Sequence, residues 1–307
     1  MTLMTKPRVS NIAYTMGEIE STYSEAPGFA DVVERGAMLK IPAMWGWGNY
    51  FATQDILSLA SPTIKKTLGG AKIAPTEVDL VIFCASVMPG KGSDLNARTA
   101  EILKSVGIDK ANVIGQTLGG CTTMLNSMII ACDLLGAGAY RNILVVAIEE
   151  LPDEVARFTN FAIFSDVCVS FLVSFEENGG FEIVSSTYKT SIDEIVGGAD
   201  LQNSDLNKDC ITQTINKASV GLADIKKVFS NNTFLPVKTI KERNIGFTSK
   251  QMDIGNVARI GHCFSCDSIL NYCLHKSSQP ETSDGHFLLF AEADGHSASV
   301  LIKETSV

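Results

Sequence analysis

The stretch Asn112-Val-Ile-Gly-Gln-Thr-Leu-Gly-Gly-Cys121-Thr-Thr-Met-Leu-Asn-Ser-Met-Ile-Ile-Ala-Cys132 decides how this chain is read. A short β-like run ends in a glycine pair, a cysteine follows, and a long apolar helical pattern starts at once. A thiol in such a turn stands at a helix N-terminus, where unpaired backbone N–H groups and the helix dipole favour the thiolate. Glycine just before it keeps the approach open for a substrate carbonyl. Cys121 is therefore a candidate nucleophile. The plain alternative is a packing cysteine, because free Cys is among the most buried residue types.

Working outward, the two halves of the chain echo each other. Residues 53–69 read as a helix, and Thr76–Cys84 runs into a strand. Much later Cys210-Ile-Thr-Gln-Thr-Ile-Asn-Lys-Ala again reads as a helix, and Leu222–Ser230 runs into a short strand. After the first strand come a helix (about 92–105), a strand (111–116), Gly120-Cys121 with its apolar helix, and strands at Ile143–Ile148 and Val167–Phe175. After the second come a helix (about 236–245), a weak strand (252–257), Gly261-His262 with a helix over Ser265–His275, and strands at Phe287–Ala291 and Ser297–Ile302. Alternating β and α elements with buried apolar runs predict an α/β fold with helices covering the sheets. The repeat predicts two similar halves about a pseudo-twofold axis, 1–178 carrying Cys121 and 179–307 carrying Asn231 and His262. Cys121 and His262 then take equivalent positions and come together despite their separation in sequence.

Composition narrows the class. Hydrophobic residues at 45% with 19% charged residues fit a compact enzyme, and 307 residues suffice for a substantial core. A net charge of −9 argues against general nucleic-acid binding, which wants a basic footprint. The N-terminal residues lack an apolar signal region, and no stretch reaches the ~18 uncharged apolar residues of a membrane span. Eight cysteines without a compact framework fit a reducing compartment, so a cytoplasmic location is expected. Cys263-Phe-Ser-Cys266 has no second Cys pair at ribbon spacing, so packing on a buried helix is preferred to a redox or metal site, and no metal is expected.

These features resemble the thiolase superfamily, and most closely its β-ketoacyl-acyl-carrier-protein synthase III branch. The resemblance spans about residues 7–303. It rests on the Cys121 elbow and its helix, on Asn142-Ile-Leu-Val-Val-Ala, and on Phe161-Ala-Ile-Phe-Ser-Asp166, which is similar to the family's Ile-Phe-Gly-Asp-Gly turn. Leu235–Gly246 is similar to the helix after the family's Pro-His-Gln-Ala-Asn motif. Phe290-Ala-Glu-Ala-Asp-Gly295-His-Ser is similar to the Gly-rich turn that completes the site. The family's flanking pair departs from pattern. The His position carries Asn231 in Ser230-Asn-Asn-Thr-Phe234, and the Asn position carries His262 in Ile260-Gly-His-Cys263, so the pair looks exchanged.

The resemblance implies a thiolase-like fold and acylation of Cys121 from a thioester. The N–H groups of Cys121 and Gly295 would serve as oxyanion donors. Carbon–carbon condensation in fatty-acid-like or secondary-metabolite synthesis is the favoured second half-reaction, with Asn231 and His262 stabilising the enolate. Acyl transfer to a hydroxyl, amine or thiol is the alternative, with His262 as base. A partner-dependent or non-catalytic subunit of a heterodimer is the reading from another class. His296, in the Gly-rich turn, is a second candidate base. Asp166 is expected to hold a turn, and Asp267 is set aside because i+5 on a helix points elsewhere. Coenzyme A or phosphopantetheine enters as substrate carrier, with no resident cofactor, and a homodimer or related heterodimer is expected. Lys238, Lys241 and Arg243 form the best basic cluster for an acidic carrier protein, Met88 lies where the family sends a loop into the partner's acyl pocket, and Trp45 and Trp47 either line an entrance or pack.

Overall fold

A computed structural model describes residues 6–89, 92–176, 180–197, 204–279 and 285–304. Eleven strands are described: β1 Arg8–Met16, β2 Ile19–Thr22, β3 Asn49–Ala52, β4 Leu80–Cys84, β5 Asn112–Gln116, β6 Ile143–Glu149, β7 Val167–Ser174, β8 Phe181–Thr190, β9 Ile225–Phe229, β10 His286–Ala293 and β11 His296–Glu304. The helices are α1 Phe29–Arg35, α2 Pro42–Trp45, α3 Ala60–Ala71, α4 Gly92–Ser105, α5 Thr123–Gly136, α6 Ile192–Gly197, α7 Ser204–Lys217, α8 Leu235–Ile245, α9 Val257–Ile260 and α10 Asp267–Ser278.

Nine strands form one mixed sheet in the order β5-β4-β6-β7-β1-β8-β11-β10-β9, and β2 pairs with β3 separately. The order is close to a palindrome. On one wing β4 runs parallel to β5 and β6, and β6 is antiparallel to β7. On the other, β9 runs parallel to β10, and β10 is antiparallel to β11. Within the sheet the wings join where Arg8 and Val9 of β1 meet Glu182 and Phe181 of β8. Beyond that point they diverge and enclose α5 and α10 in a shared core. Met124, Leu125, Met128, Ala131 and Leu135 of α5 recur on one helical face. They pack with Ile269 and Leu270 of α10 and with Val145, Phe171, Phe287 and Val300 from both wings. Burying each of the larger of these side chains contributes roughly 1.5–3 kcal/mol. Separate clusters seat α3 and α4 on the outside of the first wing and α7 and α8 on the outside of the second. This is the thiolase-like α/β layering expected from the sequence.

Some expectations need correction. Residues 252–257 form no strand; a single parallel bridge joins Met252 to Val228, and α9 follows. The helix expected from residue 53 starts as a 3-10 turn at Ile56–Leu59, whose first turn is capped by Asp55. Strands β1 and β8, which join the wings, were not read from the pattern.

The repeat is also offset from the expected alignment. Gly120–Thr122 is a 3-10 turn before α5, and Phe264–Cys266 is a 3-10 turn before α10. Each opens on a left-handed residue, Gly120 at φ 51° and Phe264 at φ 52°. Cys121 is therefore matched by Ser265, and His262 lies three residues earlier.

Candidate active site

The elbow is built by glycine. A Cβ on Gly120 would lie 2.9 Å from that of Ala293 in β10, and its positive φ strains any other residue. Thr122 Oγ1 donates to the Gly119 carbonyl and Thr123 Oγ1 to that of Gly120, both at 2.7 Å. Cys121 is left half-exposed at the turn. Burial pushes the thiols of Cys84, Cys132, Cys168, Cys210, Cys263, Cys266 and Cys273 up, which makes them poor nucleophiles.

His262 arrives from the other wing. Its N–H donates to the Ile163 carbonyl at 2.7 Å, and its carbonyl accepts from Ser165 N–H at 2.9 Å. Gly261 permits this approach, since a Cβ there would stand 2.6 Å from the Ile163 oxygen. His262 Nε2 lies 3.4 Å from Cys121 Sγ, so thiol and imidazole do come together, although not from equivalent positions of the repeat. Phe164 and Phe264 flank the imidazole, with ring centroids 5.0 and 5.9 Å away.

Behind the imidazole stands Asp267, the residue set aside from the sequence. Its Oδ2 pairs with His262 Nδ1 and accepts Asn232 N–H at 2.6 Å, and its Oδ1 accepts Cys263 N–H at 2.7 Å. Residues 262–266 are not α-helical, so counting i+5 along a helix does not apply to them. The left-handed Phe264 folds them back over the first residue of α10. Burial alone would lower the His262 pKa, but the facing Asp267 and Cys121 outweigh it and raise it to about 10. Asn232 completes the support, donating to the Gly261 carbonyl at 2.9 Å and exchanging amide bonds with Asn271.

Asn231 is held elsewhere. Its Oδ1 accepts the Glu292 N–H at 3.0 Å and its Nδ2 donates to the Glu292 carbonyl at 3.4 Å, so the amide brackets that residue's main chain. No hydrogen bond joins it to Cys121 among the described residues. Ala293 of this turn meets the elbow at Gly120, and Gly295, at φ 66°, packs on Ser191 and Ile195, its carbonyl accepting the Ser191 N–H at 2.8 Å. His296 Nδ1 shares a hydrogen bond with Tyr188 Oη at 2.8 Å, and burial lowers its pKa.

The basic docking helix is also corrected. Lys238 is 2% exposed and gives its ammonium to Glu242, to Ser230 Oγ and to the Asn231 carbonyl. Lys241 pairs with Glu292, and Arg243 reaches Ser249 at 3.4 Å. The cluster spends its charge on internal partners because α8 packs against α2 and α7, leaving Arg243 as its exposed member. Met88 is half-buried, its Cε packed beside Gly115 of the same chain. Trp47 is buried in an aromatic cluster with Tyr50, Phe158 and Phe234, stacked on Trp45, so these rings pack. Asp166 holds a turn as expected, accepting from Thr53, Leu151 and the buried Arg157.

One further acid escaped sequence reading. Glu149, at the end of β6, is 1% exposed, and burial pushes its carboxyl up to about 7. It accepts the Ser86 N–H and pairs with the hydroxyls of Ser86 and Ser265. The doublet Glu149-Glu150 at the end of an apolar strand was the signal available.

Fold and site together define a thiolase-like protein with a cysteine, histidine and aspartate in line at the junction of its two wings. The comparisons bear on the fold. The family model described as 3-oxoacyl-[acyl-carrier-protein (ACP)] synthase III matches residues 117–191, the segment from the elbow through β7 and β8. A solved structure named ChlB3, an acyltransferase, has a TM-score of 0.82 at 14% identity and covers 98% of each chain. The 3-oxoacyl-(acyl carrier protein) synthase III, FabH, of Pseudomonas aeruginosa PAO1 has a TM-score of 0.77 at 13% identity, covering 98% of this chain and 99% of its own. A single-site variant of OleA from Xanthomonas campestris has a TM-score of 0.77 at 13% identity, covering 97% of this chain and 98% of its own. A search of curated proteins finds no match. The resemblance drawn from the motifs therefore holds for the fold throughout and for the sequence around the elbow.

Proposed function

We propose that the protein is an acyltransferase of the synthase III type, in which Cys121 takes an acyl group from a coenzyme A or phosphopantetheine thioester and passes it to a heteroatom acceptor. The observation that carries this reading is the line Cys121–His262–Asp267. With its proton held by Asp267, His262 faces the sulfur as an imidazolium, and the thiolate attacks the thioester carbonyl. Collapse of the tetrahedral intermediate expels the carrier thiolate, which takes the proton from His262. The neutral imidazole then accepts a proton from a hydroxyl, amine or thiol as that group attacks the acyl-enzyme, and expulsion of Cys121 restores the ion pair. The Cys121 N–H is the proposed oxyanion donor.

Carbon–carbon condensation, which the sequence favoured, stands second. It requires two donors around an enolate, and Asn231 is engaged with the Glu292 main chain. The name of the FabH neighbour, a 3-oxoacyl synthase, keeps it in view, and that of ChlB3, an acyltransferase, favours acyl transfer. We place the reaction in secondary-metabolite synthesis. Its assembly is proposed as a dimer through β5, an edge strand with exposed Val113 and Ile114.

The test is intact-protein mass spectrometry with a panel of acyl thioesters. A single acyl adduct on Cys121, discharged by alcohols or amines, supports the reading. Discharge only by a malonyl thioester, with release of carbon dioxide, moves the assignment to condensation.

A further inference from the structure

Beneath the elbow lies a chain of contacts that the proposed chemistry does not itself use. Ser86 follows β4 in the first wing, and Ser265 is the residue that matches Cys121 in the second. Both hydroxyls meet on the buried carboxyl of Glu149. The two carboxyl oxygens accept the Ser86 N–H at 3.0 and 3.2 Å, which fixes the Ser86 main chain. The Ser86 hydroxyl shares its hydrogen between Glu149 Oε1 at 3.1 Å and the Gly120 carbonyl oxygen at 3.0 Å. That carbonyl belongs to the same peptide plane as the Cys121 N–H. In a trans peptide the two groups point in opposite directions, so a donor that fixes the carbonyl also fixes where the N–H is aimed. Hydrogen bonding at the carbonyl also polarises the peptide and strengthens its N–H as a donor.

We propose that Glu149 and Ser86 are positioning residues that hold the Gly120–Cys121 peptide with its N–H aimed at the oxyanion formed during acylation. This rests on the acyl-transfer reading of Cys121. The Gly120 carbonyl also accepts from the N–H and Oγ1 of Thr123, but both ride on α5 and approach from within the same turn, so neither replaces the tie that Ser86 makes. Ser86 ties the peptide to β4 and, through Glu149, to the turn before α10.

The test separates two reactions of one sulfur. Acetylation of Cys121 by p-nitrophenyl acetate passes through an oxyanion; alkylation by iodoacetamide is a direct displacement and does not. Ser86→Ala is expected to slow acetylation about tenfold, less than the ~10²–10³-fold cost of deleting an oxyanion donor, while alkylation stays within about twofold. Ser86→Thr, which keeps the hydroxyl, should recover most of the loss. Glu149→Leu should reproduce the acetylation defect, and Ser86→Ala carries the test if that variant does not fold. Equal slowing of both reactions, or wild-type acetylation in Ser86→Ala, overturns the positioning role and leaves the acyl-transfer reading standing. A wild-type Cys121 that alkylates but is never acetylated overturns both.

Discussion

The turns before α5 and α10 share a backbone path and differ in what they expose. Both open on a left-handed residue, both make one 3-10 turn, and both lead into a helix of the shared core. Before α5 the left-handed residue is glycine and the next side chain is a half-exposed thiol. Before α10 it is Phe264, and the next side chain, Ser265, is buried on Glu149. The missing side chain at Gly120 leaves one elbow open, with Cys121 half-exposed, whereas the Phe264 ring closes the other and lies beside His262. A near-symmetric scaffold thus brings a thiol from one half against an imidazole from the other, the pair proposed above as nucleophile and proton carrier.

The sharpest way to break this contrast is to move the thiol. Cys121→Ala should abolish acyl-adduct formation, and adding Ser265→Cys to that variant should not restore it. An adduct at residue 265, read by peptide mapping, would show that the two elbows are interchangeable.

Next in size are the proposed proton carrier and its orienting carboxylate. His262→Ala should slow turnover by roughly 10²–10⁴-fold, and Asp267→Asn by roughly 10²-fold or more, because the imidazole loses its orienting acceptor. His296→Ala should change turnover far less. Stability offers an independent reading. The His262 pKa is raised from its ordinary 6.5 to about 10 in the folded chain, so the folded state binds the extra proton. Its contribution is full below about 6.5 and is lost as pH rises toward about 10. The urea midpoint of the wild type should fall over that window, and Asp267→Asn should flatten the decline.

The edges of the sheet extend the comparison to assembly. β5 presents Val113 and Ile114 to solvent, whereas β9 ends beside Met252 in a covered cluster. Ile114→Glu should shift the protein from dimer to monomer in sedimentation, and a wild type already monomeric at micromolar concentration would remove the edge proposal. The buried ion pair of α8 should show in stability. Lys238→Met strands the buried Glu242 and should destabilise the fold by roughly 3–5 kcal/mol in urea unfolding. The smallest effect is expected at the exposed end of the same helix. Arg243→Glu should alter carrier-dependent turnover by less than about twofold, since one exposed charge contributes little.

The sequence by itself determined the local features. The glycine pair before Cys121, the apolar spacing of α5 and the buried strands around them follow from short-range backbone and hydrophobic rules, as does the repeat of α/β elements, though not its exact register. What it did not determine were partnerships set by non-local packing. Asp267 faces His262 only because a left-handed Phe264 breaks the helical count. Lys238 reads as a surface charge until α8 is packed and its ammonium finds Glu242. Asn231 carries a free amide on paper, but the end of β10 lies against it and takes both of its polar ends. Glu149 matters only once Ser86 and Ser265 arrive from opposite wings. Periodicity records which face of an element is apolar; which polar group meets which is fixed when those faces close on one another, and only the tertiary structure decided that.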